Sequence, residues 1–269
     1  MPPQTSLEVD LHVHSVASGH AYSTINEIAQ EAARRGLLGV AMTDHGPGLP
    51  GGPHPYHFMA LRFIPKYLHG VRIFTGVEAN VMADGRLDLS DEELTKLDVA
   101  MVGFHEECGF DGRGAEENTR TLLKLMDNPL VRVISHPGNP NFPLDYDTVV
   151  RHAAATATAL EINNSSFTIS RRGSEPNCLE IARLCARYKV SVCIGSDAHI
   201  AQGVGEFDDG LQALQQAGVA LTQVVNRTLE TTLEFFGLAT RVQPKEYLSL
   251  LLTMDQTLTN SREGNHSRY

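Results

Sequence analysis

Seven short apolar runs recur along this chain, and their regular spacing limits the folds that it can adopt. The ends of the runs lie roughly 27 to 34 residues apart, and patterns with helical period fill the intervals. This alternation is typical of βα units around a mainly parallel sheet, which need about 30 residues per step. The predicted strands are Val9–Val13, Leu38–Thr43, Val71–Val77, Val99–Phe104, Val131–Ser135, Ala159–Asn163 and Val190–Gly195.

The intervals between these runs predict helices. The first, Thr24–Arg35, has a cap in Ser23 or Thr24 and a stop at Gly36. The others are Ala115–Met126, Asp145–Ala157, Glu175–Tyr188 and Glu206–Ala217, followed by two extra C-terminal helices, Arg227–Gly237 and Pro244–Met254, expected on the barrel exterior. The sequence is polar from Asp255 onward. We therefore predict one barrel domain over residues 1–255 and a flexible tail over residues 256–269.

Composition excludes several classes of protein. The chain has 269 residues, 42% hydrophobic residues and a net charge of −10, so it can bury a large core but lacks the basic face of a nucleic-acid-binding protein. No apolar run reaches the roughly 18 residues needed to cross a bilayer, and residues 1–10 do not read as a signal peptide. The four cysteines show no CxxC pair or disulfide spacing. We expect a cytoplasmic protein with no membrane contact and no stable nucleic-acid complex, while its oligomeric state stays open.

Histidines follow the predicted strands with unusual consistency. Glu78 and Asp197 share this placement, and the carboxyl ends of parallel strands in an α/β barrel meet around one mouth. Imidazoles and carboxylates are the usual ligands of zinc, manganese and iron. Nine such groups are too many for one ion, so the pattern predicts a multinuclear metallohydrolase. The strand-end histidines, seven of the twelve in the chain, are His12, His14, His20, His45, His105, His136 and His199.

Two dyads strengthen this prediction. In "DLHVHS", His12 and His14 lie two residues apart on a strand, so both rings face one side, and Asp10 is expected to hold an imidazole from behind. In "GSDAH", Asp197 and His199 repeat the spacing. A single histidine near a strand end more often satisfies a local hydrogen bond. That ordinary interpretation is kept for the histidines outside the strand ends, namely His54, His57, His69, His152 and His266.

Motifs along nearly the whole chain, from Val9 to Phe236, resemble a known family. They are "DLHVHSVASGHAYST", "AMTDHGPGLPGGPH", "GVEAN", "GFHE", "ISHPGNP", "LEINNSSF", "RRGSEPNC" and "GSDAH". They are similar to those of the PHP (polymerase and histidinol phosphatase) superfamily, and most of all to its YcdX-like branch of stand-alone phosphatases. The resemblance implies an α/β fold, a distorted, TIM-like (β/α)7 barrel with three divalent metal ions. Zinc is the expected metal, with manganese or iron as alternatives.

Carried over position by position, the resemblance implies three ligand sets. The first ion would be held by His12, His14, Glu78 and Asp197, the second by Glu78, His105 and His136, and the third by His20, His45 and His199. Glu78, His105 and Asp197 would form the core that activates water. Three ions and two carboxylates leave about +4 at the mouth, which attracts phosphate. The expected activity is phosphomonoester hydrolysis with a metal-bound hydroxide as nucleophile.

Substrate contacts are predicted from two loops. Arg171 and Arg172, after the sixth strand, could bind phosphate oxygens or could be solvated loop residues. The Gly- and Pro-rich segment Gly46–Phe58 reads as a long loop over the site, and His57 and Arg62 are expected to contact a small phosphorylated substrate there.

Three other interpretations stay open. An amidohydrolase also has an H-x-H on its first strand, but it bridges its metals with a carbamylated lysine, and no lysine lies at a strand end here. A phosphoesterase for nucleotides or short oligonucleotides is the second. The third is a metal-stabilised partner module without catalysis, which would be expected to lose ligands.

Overall fold

The computed structural model describes residues 7–239, and a parallel sheet forms its centre. All seven predicted strands are present, although β6 and β8 keep only two residues each in the ladder. A two-residue strand, β3, was not predicted and pairs antiparallel with β4. The strands are β1 (Val9–Val13), β2 (Gly39–Met42), β3 (Tyr67–Leu68), β4 (Val71–Asn80), β5 (Val99–Gly103), β6 (Val133–Ile134), β7 (Ala159–Glu161) and β8 (Val192–Cys193).

Helices fill the intervals as the sequence predicts. Thr24 caps the first of them through a capping box with Glu27. The helices are α1 (Ile25–Arg34), α2 (Tyr56–Ala60), α3 (Asp91–Leu94), α4 (Ala115–Met126), α5 (Tyr146–Thr156), α6 (Glu175–Tyr188), α7 (Asp208–Ala217) and α8 (Leu229–Phe235). Short 3₁₀ helices lie at Val16–Ser18, Leu61–Phe63, Asn164–Phe167, Ala201–Gly203 and Leu221–Gln223. The short helices α2 and α3 were not predicted. The predicted helix Pro244–Met254 and the tail 256–269 lie outside the described residues.

The sheet curls through the order β1-β2-β4-β5-β6-β7-β8, and each of these neighbouring pairs is parallel. The sheet confirms the barrel that the strand spacing predicted, and its form is the distorted, TIM-like one that the family resemblance implies. An outer core packs the helices against the sheet. None of the helices between residues 7 and 239 is long and apolar enough to span a membrane.

A second core fills one end of the barrel, below the mouth. Leu11, Phe74 and Met101 point inward there and meet Leu229 and Leu233 of α8. The expectation that the segment Arg227–Gly237 packs on the barrel exterior is therefore wrong. Helix α8 buries its apolar face against the inward residues of the strands, because a parallel sheet without such a plug would leave that end open to water.

The two outermost strands, β1 and β8, meet at a seam. Just beyond β8, the backbone N–H of Asp197 donates to His12 O at 2.9 Å and that of His14 donates to Ala198 O at 2.9 Å. Further from the mouth, the buried side chain of Asn226 joins the two strands in place of direct backbone hydrogen bonds between them. Its Nδ2 donates to Val9 O and to Ile194 O, each at 2.8 Å, and its Oδ1 accepts from Ile194 N at 3.2 Å. One amide thus joins both edges.

Candidate metal centre

An irregularity in β1 aims its two histidines at the barrel mouth. Val9 and Leu11 face the inner core, yet His12 and His14 also point inward, because one extra residue lies between Asp10 and Val13 in the pairing with β2. Such a bulge re-aims the side chains that follow it. Asp10 accepts from the backbone N–H groups of His12, Ser196 and Gly205. The expectation that Asp10 holds an imidazole is therefore wrong, and it ties the seam together instead.

All nine strand-end groups converge at this mouth. Six of the imidazoles form three pairs in which two Nε2 atoms face each other. The pairs are His12 with His14 at 3.0 Å, His105 with His136 at 3.2 Å, and His20 with His199 at 3.0 Å. Two nitrogen ligands on one tetrahedral zinc ion lie about 3.3 Å apart, so these spacings suit shared ions. The seventh ring, His45, stacks on His14 with centroids 4.3 Å apart.

Glu78 connects the two sides of the cluster. Its Oε1 lies 2.6 Å from His136 Nε2 and 3.2 Å from His105 Nε2. Its Oε2 lies 3.2 Å from His12 Nε2 and 3.1 Å from His45 Nδ1. One carboxylate thus touches rings from four strand ends. It is fully buried at the end of β4, and β4 runs three residues further than predicted, to Asn80.

Hydrogen bonds behind the rings fix which nitrogen is free. The Nδ1 atom of His12 lies 2.7 Å from Glu161 Oε1, and that of His199 lies 2.9 Å from Asp197 O. Both partners are acceptors. The Nδ1 atom of His14 lies 3.2 Å from Ser18 Oγ, which donates its own proton to Asp44 and so accepts here. Each Nδ1 therefore carries a proton, and the Nε2 atom of each ring, which holds a lone pair when the ring is neutral, faces the cluster.

Acceptors face acceptors in the middle of the cluster, and this is the signature of a cation site. The lone pair of His14 Nε2 lies 3.2 Å from Asp197 Oδ1 and 3.5 Å from Glu78 Oε2. Among the described residues, both of these buried oxygens, and the Nδ1 atom of His45 beside Glu78 Oε2, have no hydrogen-bond partner. Unpartnered buried acceptors are costly unless a cation lies between them. The donor set fits a metal-binding site.

Electrostatics in the cluster favour the protonation states that bind metal. Burial alone would raise the pKa of Glu78, but the neighbouring imidazoles hold it well below its usual value. Asp197 behaves in the same way, with Arg171 adding to the effect on its pKa. Burial lowers the pKa of His14 well below its usual value. The pKa of His12 is the exception: burial lowers it, but three carboxylates outweigh burial and raise it well above normal. A bound cation would displace that proton.

Several backbone angles near the cluster are strained. His136, Arg171 and Asp197 have φ angles of +31°, +50° and +56°. Non-glycine residues in this left-handed region cost on the order of 1–2 kcal/mol each, and such strain gathers at functional sites. In this conformation the backbone turns the three side chains toward the mouth of the barrel. Arg171 uses it to donate from Nη1 to Asp197 Oδ2 at 2.8 Å.

Glu161 is a functional residue that the sequence reasoning did not single out. Its Oε1 holds His12, as described, and its Oε2 accepts from the backbone N–H of His136 at 2.8 Å and from Asn163 Nδ2 at 3.1 Å. A Cβ atom at Gly195 would collide with Glu161 Oε1 and with His12 Cβ, so glycine makes room for the pair. The available signal was a carboxylate at the end of an otherwise apolar strand, since buried glutamates are rare without a partner.

A cavity of about 780 Å³ opens above the cluster. Arg171 lines this cavity, whereas Arg172 is exposed outside its lining. His57 is also absent from the lining, and its Nε2 lies 3.3 Å from Asp44 Oδ2. Arg62 lines a separate cavity of about 210 Å³ with Leu233 and Leu238. The structure thus brings one of the four predicted substrate contacts to the site. Of the predicted loop Gly46–Phe58, Leu49 and Pro50 reach the cavity.

This barrel, with buried imidazoles and carboxylates gathered where its parallel strands end, defines the class of metal-binding barrel hydrolases. The sequence profile of the PHP domain matches residues 10–137. A protein of Syntrophotalea carbinolica named "Probable phosphatase" is 61% identical over 233 residues, which are 87% of this chain and 97% of the relative. Another with that designation, from Caldanaerobacter subterraneus, is 44% identical over 85% of this chain and 91% of its own length. The chain belongs to the PHP family.

The fold also matches a solved structure. The crystal structure of histidinol phosphate phosphatase from Lactococcus lactis, complexed with zinc, L-histidinol and phosphate, superimposes with a TM-score of 0.54. It covers 79% of this chain and 94% of its own, at 16% sequence identity. At this identity the match supports the barrel architecture and nothing finer.

Replacing Glu161 by glutamine should weaken metal binding about 10- to 100-fold, because carboxylates behind ligating histidines typically contribute that much. A glutamine has only one oxygen in place of the two acceptors. If that oxygen faces His12, the NH₂ group meets the N–H donor of His136, and if it faces His136, the NH₂ group meets the Nδ1–H donor of His12. Zinc and cobalt affinities, measured by chelator competition, check this result. The exposed Glu180→Gln variant is the control, and an unchanged affinity in Glu161→Gln would contradict the positioning role.

Proposed function

We propose that the protein is a phosphomonoesterase that hydrolyses small phosphorylated substrates at a centre of three divalent ions. The observation that carries this proposal is the set of three facing Nε2 pairs around the shared carboxylate of Glu78. Each pair belongs to a different one of the three ligand sets that the family resemblance implies. The name "Probable phosphatase" of two close relatives supports the same reaction class.

The first ion would lie among His12, His14, Glu78 and Asp197. Its neighbour would lie among Glu78, His105 and His136. The short distances from Glu78 to both groups support its role as the bridge. For the third ion we propose His20, His45 and His199, although His45 also approaches Glu78 and so lies between the second and third sets. Nitrogen and oxygen donors of this kind suit zinc first, with manganese and iron as alternatives.

When bound, such ions supply hydroxide at neutral pH and neutralise the charge of a phosphoryl group. The remaining work falls to the chain's own residues. Glu161, Ser18 and the carbonyl of Asp197 hold three rings with their Nε2 atoms inward, so the centre is preorganised before substrate arrives.

Arg171 is the one predicted substrate contact that the cavity supports. One guanidinium N–H donates to Asp197, which leaves other donors of the same planar group to bind a phosphate oxygen. The residue would thus orient the phosphoryl group against the ligand core of Glu78, His105 and Asp197. The amidohydrolase alternative loses support, because within residues 7–239 no lysine lines the cavity and the group between the two ligand sets is the carboxylate of Glu78.

Elemental analysis beside a substrate screen tests the proposal. Protein purified without chelator should contain about three divalent ions per chain and should turn over p-nitrophenyl phosphate but not a panel of lactams and carboxylic esters. Exhaustive dialysis against a chelator should abolish turnover, and zinc or manganese should restore it. Fewer than about two ions per chain, or activity that survives metal removal, would overturn the proposed centre.

A further inference from the structure

The cavity above the metal centre has an uneven distribution of charge. Outside the proposed ligands, the part of the chain that the structure describes contributes four charged side chains to it, Glu106, Glu107, Arg171 and Glu206. Arg171 is engaged by Asp197 at 2.8 Å, and Glu206 is neutralised by Arg35, whose Nη2 lies 2.7 Å from its Oε1. Within residues 7–239, no ion pair involves Glu106 or Glu107, so two uncompensated carboxylates flank the mouth.

These two residues occupy a defined side of the cavity. They directly follow the proposed ligand His105, so they lie beside the reacting centre. Asn141, another lining residue, donates from Nδ2 to Glu106 Oε1 at 2.6 Å and holds that carboxylate at the rim. Both side chains are exposed, so water and salt screen their field, which acts on charged groups within about 8–10 Å, the Debye length at ordinary ionic strength.

The same cavity also has apolar lining residues. Ile169 is 91% exposed and Ile200 is 48% exposed, and both line the cavity together with Leu49 and Pro50. Large exposed aliphatic side chains beside a polar centre typically contact the apolar part of a ligand. The cavity of about 780 Å³ leaves room for an alcohol of considerable size beyond the phosphate.

We infer that Glu106 and Glu107 determine specificity by charge. They restrict the enzyme to phosphomonoesters whose alcohol part carries no second anionic group, while the aliphatic residues accept an uncharged or cationic alcohol. This inference rests on the proposed phosphatase function. The metal centre attracts the phosphate, and the rim repels any further anion on the same molecule, so bisphosphates and oligonucleotides are poor substrates.

Three aryl phosphates of nearly equal size test the inference with the metal-loaded enzyme: phenyl phosphate, 4-carboxyphenyl phosphate and 4-(aminomethyl)phenyl phosphate. The quantity measured is kcat/KM for the carboxylate substrate relative to phenyl phosphate, compared between variants so that leaving-group reactivity cancels. In the double variant Glu106→Gln/Glu107→Gln this ratio should rise about tenfold, and the ratio for the aminomethyl substrate should fall. Adding 0.5 M NaCl to the wild type should shrink the same discrimination.

The matched control is the double variant Arg35→Gln/Glu206→Gln, which removes both members of an ion pair at the same cavity and leaves the net charge unchanged. Its ratio should stay within about twofold of the wild type. If the double variant folds poorly, the two single variants are measured instead. Metal content and thermal unfolding are measured for every variant. An unmoved ratio in variants that turn over phenyl phosphate normally would overturn the charge filter alone. If the metal-loaded wild type fails to hydrolyse phenyl phosphate, the phosphatase proposal itself falls.

Discussion

Alanine at position 78 should abolish turnover and strip metal from the protein together. Glu78 touches rings from four strand ends, with oxygen-to-nitrogen distances between 2.6 and 3.2 Å. Its loss removes a negative charge shared by two ligand sets, and it leaves His105 and His136 without the carboxylate that both of them face. We expect kcat/KM for p-nitrophenyl phosphate to fall by at least about a thousandfold, which corresponds to about 4 kcal/mol of transition-state stabilisation.

Two measurements separate this effect from misfolding. Elemental analysis should show the loss of about one or more ions per chain, while circular dichroism should still report the α/β fold. Glu78→Gln keeps the shape but not the charge and should lose activity to a similar degree. The exposed Glu92→Ala variant on α3 serves as the control and should behave as wild type. Full metal loading with retained turnover in Glu78→Ala would contradict the bridging assignment.

The second large effect concerns stability rather than catalysis. Asn226→Leu keeps the branched shape of the side chain but removes three buried hydrogen bonds to Val9 and Ile194. Two carbonyls and one N–H would remain unsatisfied at the seam, at about 1–3 kcal/mol each. We expect the free energy of unfolding to fall by about 3–6 kcal/mol, a large part of the roughly 5–15 kcal/mol that holds a domain folded.

Urea unfolding of the metal-free protein, followed by circular dichroism, measures this loss as a lower midpoint. Asn177→Leu is the matched control, because that half-buried amide donates one hydrogen bond, to Gly138 O, and should contribute about 1 kcal/mol or less. If Asn226→Leu unfolds at the wild-type urea concentration, the seam is held by the inner core and not by this amide.

The positions of the strand-end histidines could be predicted because they depend on a simple rule. Parallel strands in a barrel end at one mouth, so a residue that follows a strand lies near every other such residue. His12, His105 and His136 are far apart in the chain, yet all three contact Glu78. The rule needs only the strand ends, which the apolar runs mark clearly.

Features that depend on one local irregularity could not be predicted in this way. The extra residue in β1 reverses the inward parity, so Asp10 faces the seam although simple alternation places it with His12 and His14. The places of loop side chains could not be predicted for a related reason. His57 and Arg62 lie on a short helix and on the 3₁₀ turn after it, elements that the sequence pattern did not predict, and neither residue is among those that line the cavity.

Helix α8 shows the limit of amphipathic patterns. A helix with one apolar face fits the barrel exterior and the barrel end equally well, and sequence alone does not say which surface is vacant. The inner core, where Leu229 and Leu233 meet Leu11 and Met101, shows that α8 closes the barrel end.

The seam between β1 and β8 would give the proposed ions a structural role as well. Their donors on its two sides, His12 and His14 against Asp197 and His199, come from opposite ends of the folded chain. Joining points nearly two hundred residues apart costs about 5 kcal/mol of loop-closure entropy. A cation bound from both edges would act as a removable cross-link, so metal removal should lower the free energy of unfolding as well as abolish turnover.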